Sequence, residues 1–243
     1  MRIYRTRDYD EMSRRAAGIL GAQVVLKPDS VLGLATGSTP IGTYACLAEA
    51  CKKGDLDFSQ ITTVNLDEYK GLSKDDEQSY YYFMWHHLFD KVNICREHVH
   101  LPDGTKEDGA AECARYEGVI KACGGIDLQL LGLGNNGHIG FNEPADEFMR
   151  DTHCVKLTQS TIQANRRFFA SEEEVPRFAY TMGIGTIMRA KRVLLLVSGE
   201  GKAEILKQAL TGPITPRVPA SILQLHRELL VVADEAALHC IEA

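Results

Sequence analysis

The sequence lacks the features that would place the protein in a membrane, outside the cell or on a nucleic acid. Its seven cysteines are odd in number and include no Cys-x-x-Cys pair, which favours reduced, packed thiols in a cytoplasmic protein. The longest aliphatic runs, such as residues 193–197, have only strand length, and no signal peptide is evident. The formal net charge of −6 gives no basic excess for nucleic acid or an anionic membrane. An anionic ligand would therefore need a local cluster of cations.

The chain also lacks internal repeats, low-complexity stretches and any linker rich in proline, glycine and serine. Its 243 residues are 44% hydrophobic and 25% charged, which is typical of a globular protein with a sizeable core. We therefore expect one domain over residues 1–243.

Short apolar runs alternate with amphipathic segments along the chain. The apolar runs predict strands at 31–35, 61–66, 126–131, 193–197 and 229–233. The amphipathic segments predict helices at 41–53, 80–89, 110–122 and 202–210. Uninterrupted apolar strands separated by helices indicate a three-layer α/β/α fold with a mostly parallel, Rossmann-like sheet. In such sheets ligands bind beyond the carboxyl ends of the strands.

The segment after the first predicted strand, Thr36-Gly37-Ser38-Thr39-Pro40, is called the phosphate loop below. Small residues and hydroxyls before a helix can present free backbone amides to a phosphate. The Walker spacing and its Gly-Lys-Ser/Thr end are missing. A plain helix cap by Ser38 or Thr39 is an equally good interpretation of this segment alone.

Two cations in other segments are candidates for the same anion. Lys202 lies at the start of a predicted helix, where a cation gains nothing from the helix dipole, although a solvated lysine is the commoner outcome. Arg167 lies in a polar segment that ends in an acidic run. We interpret residues 158–178 as a surface lid that carries an anion contact.

Asp67 directly follows a predicted strand, so its carboxylate is expected to point into the ligand crevice and is a candidate base. Histidine pairs occur at 86–87 and at 98 and 100, but no third ligand at metal spacing accompanies them. We expect no metal and no organic cofactor.

The most informative segment is residues 132–144, Gly-Leu-Gly-Asn-Asn-Gly-His-Ile-Gly-Phe-Asn-Glu-Pro, called the histidine loop below. Its glycines match the spacing of a dinucleotide fingerprint, but Gly140 and Pro144 oppose the helix which that fingerprint needs. A purely structural glycine turn is a second alternative. His138 and Glu143 instead indicate an active-site loop, because both side-chain types transfer protons near neutral pH. With the other segments, this predicts acid–base chemistry on a small phosphorylated substrate.

Four segments together resemble the glucosamine-6-phosphate deaminases: residues 34–40, 65–69, 134–144 and the pair Ser198 and Lys202. The resemblance runs in order over nearly the whole chain. It implies reversible conversion of glucosamine 6-phosphate and water to fructose 6-phosphate and ammonia, without metal or cofactor. A monomer and a homo-oligomer both remain open.

The resemblance also assigns roles to individual residues. His138 would open the sugar ring, Glu143 would orient its imidazole, and Asp67 would move the C2 proton to C1. Residues binding the phosphate would be Thr36, Gly37, Ser38, Thr39, Arg167 and Lys202. The lid would close over them.

The chain departs from the pattern of many members at Asn136, where they have aspartate. An amide cannot act as a base, so we expect Asn136 to be a neutral orienting partner of the catalytic pair. His153 and Val155 stand where activated hexameric members have basic residues, and the longer tail of those members is absent. We therefore expect no activation by N-acetylglucosamine 6-phosphate.

Two alternatives of the same fold remain. A 6-phosphogluconolactonase would typically continue Thr-Ala-Ser-Leu-Phe-Pro after Gly137-His138, unlike the Ile-Gly-Phe-Asn-Glu-Pro found here. A sugar-phosphate sensor without turnover would usually carry a DNA-binding segment, and no helix-turn-helix pattern precedes residue 31.

Overall fold

The computed structural model describes residues 1–241 except for the side chain of Phe168; residues 242–243 of the expected domain lie outside the described residues. The strands within this range are β1 Arg2–Thr6, β2 Val31–Leu34, β3 Thr62–Asn65, β4 Asp67–Tyr69, β5 Val99–His100, β6 Leu128–Gly132, β7 His153–Lys156, β8 Phe178–Thr181, β9 Arg192–Val197 and β10 Leu229–Asp234. The α-helices are α1 Tyr9–Leu26, α2 Ile41–Lys53, α3 Tyr80–His87, α4 Gly109–Ala122, α5 Gln159–Asn165, α6 Ile184–Met188, α7 Ala203–Thr211 and α8 Glu235–Leu238.

Seven strands form one sheet in the order β1-β10-β9-β6-β2-β3-β5, and all its neighbouring pairs run parallel. Helices lie on both sides of it, which confirms the predicted three-layer α/β fold. Strands β2 and β10 are buried along their whole length, because both faces of the sheet are covered. This is why they are apolar at successive positions and do not alternate.

The sheet has a switch point between β2 and β6. From β2 the chain proceeds to β3 and β5 on one side, and it returns with β6 on the other side of β2. The loops leaving the carboxyl ends of these two strands diverge and open a crevice between them. The two loops are the phosphate loop and the histidine loop.

A second, antiparallel sheet of β4, β8 and β7 was not predicted from the apolar runs. Its strands have three or four residues and mix polar with apolar side chains, as in the Asp-Glu-Tyr of β4. Such strands give no continuous apolar signal. The sheet changes the setting of Asp67, which begins β4 and pairs with Thr181 instead of ending a strand of the main sheet.

The segment predicted as a lid, residues 158–178, contains α5 and a turn of 3-10 helix at Arg166–Phe168. It packs on the second sheet through an apolar cluster separate from the main core. The buried members of this cluster are Tyr69, Phe141, Leu157, Ile162, Val175 and Ala179. The segment thus contributes buried residues next to the histidine loop.

The main core contains many residues from α1, a helix that the apolar runs did not indicate. Met12, Ala16 and Leu20 of α1 are fully buried at helical spacing. Within residues 1–241, none of the helices is both long enough and apolar enough to cross a bilayer.

Candidate active site

The histidine loop leaves β6 and turns back within five residues. The Gly134 amide donates to the His138 carbonyl at 2.9 Å, and the Gly137 amide donates to the Gly134 carbonyl at 3.1 Å. Gly137 has a φ of +86°, which glycine adopts without strain. The next helix, α5, begins only at Gln159. A dinucleotide fingerprint requires a helix at its third glycine, so this geometry excludes that alternative.

Gly134 is the position that makes room for the catalytic candidate His138. A Cβ atom on Gly134 would lie 2.3 Å from both Nε2 and Cδ2 of the His138 ring. The imidazole therefore packs directly over the backbone of Gly134, and any side chain there would displace it. The glycine serves the placement of a side chain in this loop, not the approach to a pyrophosphate.

Four side chains contact the carboxylate of Glu143. The Asn136 amide donates to Oε2 at 2.7 Å, and Nδ1 of His138 lies 3.5 Å from the same oxygen. The hydroxyl of Thr158 donates to Oε1 at 3.2 Å, and the hydroxyl of Thr161 donates to Oε1 in a shorter hydrogen bond. Each carboxylate oxygen therefore has two partners of its own.

These partners decide the charge of Glu143. Burial alone would raise its pKa, since only 7% of the side chain is exposed. The His138 imidazole, the Thr161 hydroxyl and the Asn136 amide outweigh burial and lower the pKa to about 2. Glu143 is therefore an anion at neutral pH, and it can stabilise an imidazolium that forms transiently at His138.

Asn136 connects the two catalytic candidates. Its Oδ1 accepts a hydrogen bond from the backbone amide of His138 at 3.2 Å, while its Nδ2 donates to Glu143. A neutral amide can do both at once because it carries an acceptor and a donor. This geometry supports the orienting role expected for Asn136.

Asp67 is also buried, with 6% of the residue exposed, but its surroundings differ. Among the described residues, none donates a hydrogen bond to its carboxyl group. Burial raises its pKa well above the usual range, and the negative charge of Glu68 raises it further. A Cβ on Gly140 would lie 3.5 Å from Oδ2 of Asp67, so this carboxyl group borders the histidine loop two residues beyond His138.

Glu68 points away from Asp67 and has a structural role that sequence patterns did not reveal. Its carboxylate accepts backbone hydrogen bonds from Tyr69, Tyr80 and Tyr81, each at 2.9 Å. The last two amides belong to the first turn of α3, whose free N–H groups need acceptors. Burial raises the pKa of Glu68 to about 7 against the effect of these bonds. Glu68 thus fixes α3 against β4.

Aromatic rings form a wall beside Asp67 and the histidine loop. Tyr80 stacks on Phe141 with centroids 5.9 Å apart, and Tyr69 lies 4.8 Å from Tyr80 and 5.8 Å from Phe169. The ring of Phe141 is 6.4 Å from that of His138. The imidazole of His138 therefore has an aromatic neighbour on one side.

The phosphate loop follows β2 and precedes α2, whose first residue is Ile41. Pro40 occupies the capping position, and no side chain caps the helix, so the simple cap by Ser38 or Thr39 is not formed. Gly37 has a φ of +93°, which turns the backbone between Thr36 and Ser38. Ser38 is exposed and its neighbours are half-buried. The amides before α2 thus remain available to an anion.

Lys202 closes the opposite side of the crevice. It directly precedes α7, as predicted, and its ammonium donates to the Leu133 carbonyl at 2.6 Å and to Oδ1 of Asn135. Burial and then the positive charge of Arg167 lower the pKa of Lys202 to about 8. The second effect shows that the exposed Arg167 of the lid segment lies near Lys202. Two cations from different segments therefore converge on one region.

The turn before Lys202 is held by a carboxylate from the neighbouring strand. Asp234, at the end of β10, accepts hydrogen bonds from the Ser198 hydroxyl at 2.5 Å and from the Gly199 amide at 3.1 Å and 3.0 Å. Gly199 has a φ of +94°. Ser198 therefore positions the backbone that leads to Lys202.

The size of a cavity does not mark this site. A groove of about 1320 Å³ lies along α4 and β7 and contains none of the predicted site residues. The phosphate loop and the histidine loop, which carry most of the predicted residues, leave the sheet instead at its switch point. Within residues 1–241, no group of three or more histidine, cysteine or acidic side chains is placed to hold a metal ion.

The fold and these side chains define a class: an α/β protein whose switch point carries a buried histidine–carboxylate pair and a loop of small and hydroxyl residues before a helix. Comparison with known proteins narrows the class. Residues 9–232 match the family model of glucosamine-6-phosphate isomerases and 6-phosphogluconolactonases. The chain belongs to this family.

Its relatives extend over almost the whole chain. A glucosamine-6-phosphate deaminase of Lachnoclostridium phytofermentans is 57% identical over 232 residues, covering 96% of this chain and 98% of the relative. The glucosamine-6-phosphate deaminase of Thermoanaerobacter sp. (strain X514) is 53% identical over 237 residues, which cover 98% of this chain and 94% of the relative.

Solved structures agree on the fold. The structure of a monomeric glucosamine-6-phosphate deaminase is 46% identical, covers 99% of this chain and 100% of its own, and has a TM-score of 0.96. The structure of a 6-phosphogluconolactonase from Leishmania guyanensis has a TM-score of 0.75 and covers 100% of this chain and 99% of its own. At 22% sequence identity, this likeness shows the fold alone.

Proposed function

We propose that the protein catalyses the reversible conversion of glucosamine 6-phosphate and water to fructose 6-phosphate and ammonia, without a metal or organic cofactor. The observation that carries the proposal is a pair of buried carboxyl groups, Asp67 and Glu143, with opposite pKa shifts beside one crevice. Environments that separate two such groups are a mark of acid–base catalysis. The deaminases at 53% and 57% identity support the choice of substrate.

Ring opening would be the work of the His138 imidazole. It would take the proton of the anomeric hydroxyl and return a proton to the ring oxygen, which releases the open-chain aldehyde. The imidazole is charged between these transfers, and the anionic Glu143 stabilises that state at 3.5 Å. Asn136 keeps both groups in place through its two hydrogen bonds.

Isomerisation would follow at Asp67. Its carboxylate would remove the proton from C2, which gives an enolamine, and would return that proton to C1. The product is an imine at C2, to which water adds before ammonia leaves. A base with a raised pKa suits this step, because it holds the proton between the two carbons long enough to transfer it.

The phosphate would lie between the phosphate loop and the two cations. Thr36, Gly37, Ser38 and Thr39 would offer amides and hydroxyls, and Arg167 and Lys202 would neutralise the charge. Because the pKa of Lys202 is about 8, we expect affinity for the phosphate to fall as the pH rises through that value.

We further propose a single domain with a lid over residues 158–178, acting in the cytoplasm, where the seven free thiols would stay reduced. Both a monomer and a homo-oligomer are compatible with this proposal. Gel filtration coupled to light scattering distinguishes them.

A direct assay tests the function. Purified protein is incubated with glucosamine 6-phosphate, and fructose 6-phosphate is followed through a coupled reduction of NADP⁺, with ammonia measured in parallel. Equal amounts of both products are expected. Hydrolysis of 6-phosphogluconolactone without this activity would instead identify a lactonase. Binding of the amino-sugar phosphate without any turnover would identify a sensor.

A further inference from the structure

The lid segment contacts the catalytic candidate Glu143 through two hydroxyl groups. Thr158 donates to Oε1 of Glu143 at 3.2 Å, and Thr161 donates to the same oxygen in the shorter bond. Thr161 is buried, with 4% of the residue exposed, so water does not replace its hydroxyl easily. Neither threonine forms part of a pattern that identifies active-site residues in the sequence.

The two oxygens of Glu143 therefore have separate tasks. Oε2 faces His138 and Asn136, while Oε1 is bound, among the described residues, by the two threonines of the lid segment. A carboxylate fixed at one oxygen cannot rotate about its terminal bond without breaking those bonds. The threonines thus orient the oxygen that faces the imidazole.

The position of both hydroxyls depends on how α5 is seated. Thr158 caps α5 by accepting a hydrogen bond from the Thr161 amide at 3.3 Å, and its hydroxyl lies 3.1 Å from that of Thr161. The next residue, Ile162, is buried in the apolar cluster of the second sheet. Any displacement of α5 from this cluster would remove both hydroxyls from Glu143.

We propose that Thr161, assisted by Thr158, is a positioning residue that couples the seating of the lid helix α5 to ring opening by His138. The proposal rests on the proposed function, since it names a device for one step of that reaction. The carboxylate of Glu143 is oriented for the imidazole only when α5 is docked. Ring opening is therefore favoured when the lid segment is in place, whereas proton transfer at Asp67 does not depend on these hydroxyls.

A matched set of variants tests the proposal. Thr161→Val removes the hydroxyl at nearly constant shape, Thr161→Ser retains it, and Gln163→Ala changes an exposed side chain of the same helix. We expect kcat of Thr161→Val to fall about tenfold, from the loss of one hydrogen bond to a charged group, with KM little changed. Thr161→Ser and Gln163→Ala are expected to keep most of the activity.

The pH profile separates a positioning role from a purely structural one. Without the Thr161 hydroxyl, the oxygen of Glu143 that faces the imidazole is no longer held in place, so its stabilisation of the imidazolium weakens and the acid limb of kcat/KM should move to lower pH in Thr161→Val. Unchanged limbs, or equal losses in Thr161→Val and Thr161→Ser, would refute the proposal. Melting temperatures of all variants show whether each one folds.

A measurement that does not require catalysis tests this proposal separately from the proposed function. The carboxyl group of Glu143 can be titrated by NMR in the wild type and in Thr161→Val, and its midpoint should rise from about 2 in the variant, because the Thr161 hydroxyl lowers the pKa of Glu143. An inactive wild-type protein would contradict the function and not the contact. An unchanged midpoint in an active protein would contradict the coupling and not the function.

Discussion

Asp67 and Glu143 are both buried beside the same crevice, yet their carboxyl groups have opposite tendencies. Glu143 has four side chains around it and a pKa of about 2. Asp67 has none that donates a hydrogen bond to it within residues 1–241, and its pKa is raised. Burial alone does not decide the charge of a carboxyl group, because donors to the anion can outweigh desolvation.

The difference assigns each group a task that the other could not perform. A group held as an anion stabilises a neighbouring cation and holds no proton at neutral pH. A group that is readily protonated can accept a proton from carbon and return it. Exchanging the two environments would remove both functions, and four substitutions examine this comparison in order of expected effect.

The largest effect is expected from Asp67→Asn, which removes the base. We expect kcat to fall by about 10²- to 10⁴-fold, the usual contribution of a general base, while a phosphorylated competitor still binds. Exchange of the C2 proton with solvent deuterium should stop, as NMR would show. The exposed Asp75→Asn is the control. Continued exchange at the wild-type rate would show that another group is the base.

The same variant should become more stable. Because the folded protein raises the pKa of Asp67, the ionised form opposes folding at any pH above the ordinary carboxyl range. The amide removes that penalty, so the melting temperature should rise at neutral pH and match the wild type in strong acid.

Glu143→Gln should have the opposite effect on stability and a smaller one on rate. The folded pKa of about 2 lies below the ordinary 4.5, so the carboxylate stabilises the fold above that range and loses this contribution as the pH falls toward 2. At neutral pH the loss amounts to about 3 kcal/mol, and kcat should fall roughly 10²-fold. Urea unfolding at several pH values measures the loss of stability. Equal stability at pH 7 would contradict the difference between the two carboxyl groups.

Gly134→Ala tests whether the rate depends on the position of the His138 ring as well as on the presence of a histidine. The added methyl group would lie 2.3 Å from the imidazole, which must shift away from Glu143. We expect kcat to fall by about 10- to 100-fold, as for other misplaced catalytic groups. Gly132→Ala is the matched control, since its Cβ would meet nothing within 4 Å. Similar rates for the two variants would show that the ring position is not critical.

The smallest effect is expected from Asn136→Asp, which places a second carboxylate beside that of Glu143. The change removes the donor to Oε2 and adds a like charge, so the pKa of Glu143 should rise from about 2. The added charge also favours an imidazolium, so the acid limb of kcat/KM should move to higher pH, with kcat changed less than about tenfold. An acid limb at the wild-type pH would indicate that Asn136 and Asp are equivalent here.

The parts of the fold that sequence predicted are those with long, uniform signals. The strands β2, β9 and β10 are covered on both faces, so apart from Arg192 and Asp234 at two strand ends their residues are apolar or glycine, and the run is visible. The sheet of β4, β8 and β7 cannot be predicted from local sequence patterns, because its strands are stabilised by partners that are distant in sequence. Asp67 pairs with Thr181, and nothing in the three residues of β4 reports that pairing.

The same distinction applies to the site. The phosphate loop and the histidine loop were found because glycines, hydroxyls and a histidine cluster within one short segment. Thr161 and Glu68 were not identified as parts of the site. Their roles depend on the direction of one hydroxyl or carboxylate toward groups 12 to 18 residues away. A local sequence pattern shows which residue types a site contains. It does not show the contacts by which other segments support those residues.

The edge strand β1 has a consequence for how the protein is made. Arg2 to Thr6 pair with Leu230 to Asp234, so a strand at the start of the chain finds its partner more than 220 residues later. During synthesis β1 must wait for its partner until β10 has left the ribosome. Contacts of such long range slow folding, since the intervening loop must close before they form. The strand β1 is thus translated long before the only strand beside which the described sheet places it.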